Sequence, residues 1–255
     1  MRSSATVADF PGIFLQGIGA LRTLFYPSHC GACGCRLEDG GKDGDERNCG
    51  KLLCGACREL IVDPPEFVCP VCSHPMSGLF LCPNCEDRQW HLSVIVAGCR
   101  YEGLVRDLIH RFKYGRDQSL VPLLALLMAR ALGDPRISGK TFDAVVAVPL
   151  HPLREREREF NQASLLAVEM GKRLGIPVIT PLSRTRATAP QARFDRVERL
   201  ENMKDVFVLR GKIPRESTLL LVDDVATTGA TLDACAALLM EAGAAEVCAV
   251  TIARG

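Results

Sequence analysis

Aromatic residues are scarce in this chain of 255 residues: Phe, Trp and Tyr together make up 5%, with 1 Trp and 3 Tyr. A broad platform of rings on which successive bases stack is therefore not suggested. No run of about 18 uncharged apolar residues occurs, so a membrane-spanning helix is not expected. The nearest approach, residues 10–26, is interrupted by Gly12, Gly17, Gly19 and Arg22. It also lacks a basic start, a clean apolar core and a clear small-residue cleavage site, so it does not read as a secretion signal. Residues 1–26 read instead as a helical segment covering the start of the next domain, with a weak membrane-surface contact as the lesser reading. Without a secretion signal the thiols are expected to stay reduced, which disfavours disulfides.

Cysteine is what the chain has in excess. Of 13 cysteines, 10 lie between Cys30 and Cys85, and 8 of these form C-x-x-C pairs: Cys30/Cys33, Cys54/Cys57, Cys69/Cys72 and Cys82/Cys85. Such a knuckle sets two thiolates about 3.5 to 4 Å apart on one metal, and two knuckles complete a tetrahedral Zn2+ site. Pairing in order gives one four-cysteine site from the first two knuckles and a second, compact ribbon from the last two. Cys35 and Cys49 are left over, and Cys49 could replace a member of the first site. A redox role for one C-x-x-C does not explain four of them. Residues 27–90 are poor in apolar material, so metal is expected to supply most of their folding energy. The polar, Gly-rich stretch 38–48 reads as a loop.

Charge is unevenly spread. Residues 1–90 hold 8 Lys/Arg and 11 Asp/Glu, net −3; residues 91–217 hold 22 and 14, net +8; residues 218–255 hold 1 and 5, net −4. The basic middle suits a polyanionic ligand or nucleic acid, against the simpler reading of a solvated basic surface. The acidic balance of the ribbons argues against a plain phosphate-binding surface there. The overall 47% apolar and 24% charged composition is that of an ordinary globular protein.

Residues 91–255 alternate short apolar runs with helical periodicity, which indicates an α/β fold with a mainly parallel sheet flanked by helices. Strands are expected over 92–100, 142–148, 176–180, 206–209, 219–222 and 247–252, those at 206–209 and 247–252 flanking the central one. Helices are expected over 103–114, 121–132 and 165–174, and again from Leu232. Residues 154–159 read as an exposed helical start whose alternating charges pair with one another. Cys99, Cys235 and Cys248 read as buried small hydrophobes.

The strand at 219–222 ends in Asp223 and Asp224, and Ala226-Thr227-Thr228-Gly229-Ala230-Thr231 then leads into a helix. A helix N-terminus presents unpaired N–H groups and a partial positive charge to an anion. Gly229 and Ala230 let the backbone approach it, and the Thr hydroxyls add donors. The loop itself carries no Gly-Lys-Ser/Thr and is not a dinucleotide GxGxxG. Two adjacent carboxylates repel phosphate but accept from a sugar diol or hold hydrated Mg2+. A 5-phosphate, a ribose diol and a Mg2+-bound pyrophosphate occur together in phosphoribosyl pyrophosphate (PRPP). A second strand end, at Pro149, is followed by Leu150, His151 and Arg154, where an open parallel sheet binds its ligand. His151 and Arg154 are placed to meet pyrophosphate. Residues 184–202 are Arg-rich and could close over an anion, with Arg184, Arg186, Gln191 and Arg199 as candidates.

The stretches YEGLVRDLIHRFKYGRD, VAVPLHPLREREREFNQ, LSRTRATAPQARFDRVERLENMKDVF and LLLVDDVATTGAT, behind a double zinc ribbon, resemble the ComF family in identity and order. The resemblance implies a type I phosphoribosyltransferase-like domain over 91–255, preceded by a zinc-ribbon module over 27–90. It implies that Asp223 and Asp224 hold the ribose diol, that Thr227 to Thr231 form the 5-phosphate loop, and that Leu150 and His151 stand in the pyrophosphate loop. It further implies a cytoplasmic protein linked to DNA uptake in natural transformation. One position departs from the pattern: Glu159 stands where the family usually has Gly, which matters if that turn needs positive φ.

Two classes of function follow. In a pentosyl transferase, Asp224 holds the sugar, Thr228 and Gly229 the 5-phosphate, and Arg186 the leaving pyrophosphate. In a non-catalytic adaptor, the ribbons and the basic surface bind single-stranded DNA or a protein of the uptake machinery, and salt dependence distinguishes the DNA case.

Overall fold

Short apolar runs rich in Val, Ile and Ala make the centre of the molecule, because runs of this length and β-branched content suit strands covered on both faces. The computed structural model describes residues 29–37, 52–76, 78, 81–86, 88–185 and 206–255. The strands are β1 (Val94–Arg100), β2 (Ala144–Ala147), β3 (Val178–Ile179), β4 (Leu182–Arg184), β5 (Phe207–Leu209), β6 (Thr218–Ala226) and β7 (Glu246–Arg254). Five of them form one sheet in the order β1-β7-β6-β2-β3, parallel throughout. Leu219 to Val222 and Val247 to Val250 are fully buried at its middle.

The helices are α1 (Gly55–Glu59), among the cysteines, then α2 (Gly103–Tyr114), α3 (Val121–Ala129), α4 (Pro152–Arg158), α5 (Gln162–Leu174) and α6 (Ala230–Glu241). Helix α2 buries Val105, Leu108, Ile109 and Phe112, the stripe expected of a surface helix. Helix α3 meets β1 so closely that a Cβ on Gly98 would lie 1.8 Å from the Leu127 carbonyl oxygen. Only glycine permits that approach. No helix among the described residues is long and apolar enough to cross a membrane.

Besides smaller boundary shifts and the added strand β4, three elements differ from the sequence reading. Strand β6 does not stop at Val222. It runs through both aspartates to Ala226, because β7 continues alongside and pairs Asp223 with Thr251 and Ala226 with Arg254. The helix begun at Val121 leaves α geometry after Ala129 and closes in a 3-10 turn over Arg130–Gly133. Residues 207–209 stand outside the main sheet. They pair antiparallel with β4, in a register closed by Thr185 N–H donating to the Val206 carbonyl at 2.8 Å. The expectations for residues 1–26, the loop 38–48, Cys49, Arg186, Gln191 and Arg199 lie outside the described residues.

Candidate functional site

Strands β2 and β6 are parallel neighbours, paired Ala147 with Val222. The loops that follow them therefore leave the same edge of the sheet, where an open parallel sheet binds its ligands. The first loop continues the pairing by one bond, Val148 N–H to the Val222 carbonyl at 3.0 Å. Asn161 then braces it: its side chain donates to the Val148 carbonyl at 3.0 Å and caps α5 by accepting from Ala163 N–H at 3.0 Å. His151 caps α4, its Nδ1 accepting from Leu153 N–H at 3.2 Å. Leu150, His151 and Arg154 are each half-buried on this edge.

The second loop is Thr227 to Gly229. Gly229 caps α6 in the left-handed region at φ +74. A side chain there would also meet Trp90 and Ile95 at under 3 Å, so glycine is required twice over. No side chain caps α6 at this residue, which leaves the N–H groups of its first turn facing the loop. Thr227 is exposed, Thr228 and Thr231 half-buried, and Ala226 and Ala230 buried. The Thr228 hydroxyl lies 3.4 Å from Ala230 N–H.

Just before this loop, Asp223 is half-buried and Asp224 buried. The Asp224 carboxylate holds the Lys113 ammonium at 2.6 Å, and Asp223 accepts from Asp224 N–H at 2.8 Å. Burial, then the neighbouring Asp224 charge, raises the Asp223 pKa to about 7. Burial opposes the charge of Lys113, but Asp224 and Asp223 outweigh it and hold its pKa above the ordinary lysine value. Arg184 feels burial, the Arg154 charge and Asp223, with a net lowering, and Arg158 acts on Lys113. Lys113 thus pairs with Asp224 and, with Arg184, acts on Asp223, while the charges of Arg154 and Arg158 act on those two cations.

The Asp223 carboxyl is easier to protonate folded than unfolded. Its ionisation therefore removes stability progressively from about pH 4 to about pH 7. Asp223→Asn is expected to stabilise the protein above pH 7, by a few kcal/mol at most, with the difference shrinking to nothing near pH 4. Thermal melts across that range check it. A difference that does not depend on pH overturns the assignment.

Glu159, at the end of α4, does adopt positive φ, +70. Its carboxylate pairs with Arg116, which also donates to the Glu157 carbonyl at 2.8 Å. The charges of 154–159 thus reach beyond their own helix rather than only pairing among themselves. The side chain that replaces glycine is directed to α2's end by an ion pair.

The cysteines gather in two places. Cys69, Cys72, Cys82 and Cys85 lie within 4.8 Å of one another, with the Cys69–Cys85 and Cys72–Cys82 sulfurs each 3.6 Å apart. Four thiols at that spacing fit a tetrahedral Zn2+ with bonds of about 2.3 Å. In the first cluster the four mutually close sulfurs are those of Cys30, Cys33, Cys35 and Cys54. Cys35 enters because a turn folds it back, with Cys30 N–H donating to its carbonyl at 2.8 Å. Cys57 stands beside this set, touching Cys30, Cys33 and Cys54.

Sequence reasoning missed Lys113. Its signal was present: it lies four residues after Ile109, at the margin of the buried stripe of α2, where a cation implies a buried acidic partner. It also missed Asn84 and Arg88, which both donate to the Thr228 carbonyl at 3.2 Å.

A family model described as "Phosphoribosyl transferase domain" matches residues 163–255, the segment that carries the acidic pair and the α6 loop. Along more of the chain, Competence protein F of Haemophilus influenzae is 31% identical, over 76% of this chain and 87% of its own length. DNA utilization protein YhgH of Escherichia coli K12 is 33% identical over the same shares. Competence protein ComFC of Bacillus subtilis is 29% identical over 79% of this chain and 84% of its own. These matches run beyond the phosphoribosyl transferase segment into the chain's other parts, and on them the chain belongs to the ComF family.

Proposed function

We propose that this protein binds PRPP through a phosphoribosyltransferase-like domain and acts in DNA uptake, as the names of its competence relatives suggest. The observation that carries the reading is the edge shared by β2 and β6. There the acidic pair with its partner Lys113, the anion-receptive start of α6 and the loop carrying His151 and Arg154 leave the sheet side by side. The 5-phosphate sits on the N–H groups after Thr228. Asp224 and Asp223 accept from the ribose hydroxyls. His151 and Arg154 meet the pyrophosphate, with Arg186 as a further cation. As the C1–O bond to pyrophosphate lengthens, the carboxylates stabilise the developing positive ribose, and positioning carries much of the rate.

The two carboxylates do not by themselves make a full Mg2+ cage, and Lys113 already occupies Asp224. Mg2+ is best supplied with the ligand's pyrophosphate, where it neutralises charge on the leaving group. Structural Zn2+ belongs to the two cysteine clusters of the N-terminal module.

Calorimetric titration with Mg-PRPP, with pyrophosphate release followed in the same samples, tests the reading. Saturable binding with slow release is expected. No binding overturns it. A second reading, single-stranded DNA on the basic surface, draws on Tyr114. That ring is 63% exposed, with the Arg158 guanidinium 5.3 Å over it and His110 4.5 Å away. DNA affinity that falls steeply with salt supports it.

A further inference from the structure

We infer that Asn84 and Arg88 are positioning residues for the phosphate loop: by holding the Thr228 carbonyl, the second cysteine ribbon pre-forms the backbone donors that receive the ligand's 5-phosphate. The inference rests on the PRPP reading for its ligand, but the geometry is independent of it.

A peptide unit is planar and trans, so its C=O and N–H point in opposite directions. Fixing the Thr228 carbonyl on one side therefore aims the Gly229 N–H to the other. Gly229 is the position where this could fail, because glycine tolerates either orientation of the preceding peptide. A flipped peptide would turn a carbonyl oxygen, not a donor, toward the anion. Two donors oppose that flip, Asn84 Nδ2 and Arg88 Nη1, each 3.2 Å from the Thr228 oxygen.

Both donors are themselves anchored. Arg88 donates to Asp233 in the first turn of α6 at 3.1 Å, with both side chains 9% exposed. Its guanidinium lies 3.7 Å over the Trp90 ring, the same ring that lines Gly229. Asp233 also accepts from His91 N–H at 2.7 Å and Leu92 N–H at 3.2 Å. Asn84 stands between Cys82 and Cys85 and hydrogen-bonds the Cys72 side chain. One amide thus joins a sulfur of the second cluster to the loop. Outer groups of this kind fix a metal site's ligands; here the same group also reaches the phosphate loop.

Asn84→Ala in the full-length, zinc-loaded protein tests the inference, with ribose 5-phosphate and pyrophosphate titrated separately. Ribose 5-phosphate affinity is expected to fall about five- to tenfold, the size of one hydrogen bond. Pyrophosphate affinity and zinc content should stay near those of the wild type, with Tm lowered by no more than the loss of one or two buried hydrogen bonds. In the ligand-free protein, amide hydrogen exchange over residues 227–231 is expected to quicken. Equal loss of both ligands, or loss of zinc, would mean a general structural role and overturns the inference. So does unchanged exchange. If the wild type binds neither ligand, the PRPP reading fails, and the exchange rates still decide whether Asn84 orders the loop. Should Asn84→Ala fail to fold, Arg88→Lys serves instead. It keeps a charge near Asp233 but cannot span both partners, and the same ligand split is expected.

Discussion

Asp224→Asn is expected to weaken Mg-PRPP binding by at least about 100-fold. A carboxylate only accepts hydrogen bonds, and a ribose diol brings two donors to it. Each bond to a charged group is worth about 1.5 to 3 kcal/mol. The amide offers one acceptor and turns a donor toward the sugar, so the loss exceeds that of one bond. The structure adds a consequence for stability. Asp224 is the partner of Lys113 at 2.6 Å, with the two side chains 12% and 17% exposed. Removing one side of such a pair strands the other, at a cost of up to about 3 to 5 kcal/mol. Asp223, within reach of the Lys113 charge, offsets part of that. Lys113→Met with Asp224→Asn removes both charges and separates the two effects. The double variant should regain stability and still fail to bind. Calorimetry and thermal melts on both variants read this out, and unchanged affinity in either sinks the ribose assignment.

The same ion pair shows where the sequence stops being legible. Local features read well. The boundaries of α2 follow from its apolar spacing, and the step from β6 through small residues to α6 follows from an apolar run, a glycine and a change of period. Each of these signals lies within about one turn or strand of the element it specifies. Partners far apart in the chain left weaker traces. Lys113 meets Asp224 only because α2 and β6 pack at one sheet edge. Asp223 and Asp224 remain in strand geometry because β7 runs beside them, a fact about the neighbour rather than the segment. Cys35 joins the first cluster through a turn, not a C-x-x-C spacing. At Glu159 the sequence exposed a departure and the structure supplied its terms: positive φ is adopted by a non-glycine residue, whose charge is taken by Arg116.

Loss of metal from the second cluster should unfold more than the ribbon. Zinc contributes about 10 to 16 kcal/mol to folding small four-ligand modules, which matches or exceeds the whole stability of a typical domain. The attachments of this cluster to the sheet decide where the damage goes. Ile95 N–H on β1 donates to the Val71 carbonyl at 2.7 Å. The buried Arg254, at the end of β7, donates to the Cys72 carbonyl at 2.9 Å and to Ala226 beside the phosphate loop at 3.1 Å. Arg136 reaches the Cys69 and Pro70 carbonyls at 3.0 and 3.2 Å. The first cluster is attached by the exposed Arg111, which donates to the Gly31 and Ala32 carbonyls, and by apolar packing of Gly31 against Leu123 and of the buried Leu53, with no hydrogen bond into β1 or β7 from its cysteines among the described residues. Cys72→Ser is therefore expected to lower Tm of the whole protein and to quicken exchange in β1, β7 and residues 227–231. Cys33→Ser should loosen residues 29–37 and 52–60 and leave the sheet near its wild-type protection. A chelator that strips both sites should reproduce the larger pattern. Retained protection at β1 and β7 after complete zinc removal would mean that the sheet holds the ribbon in place, and not the reverse.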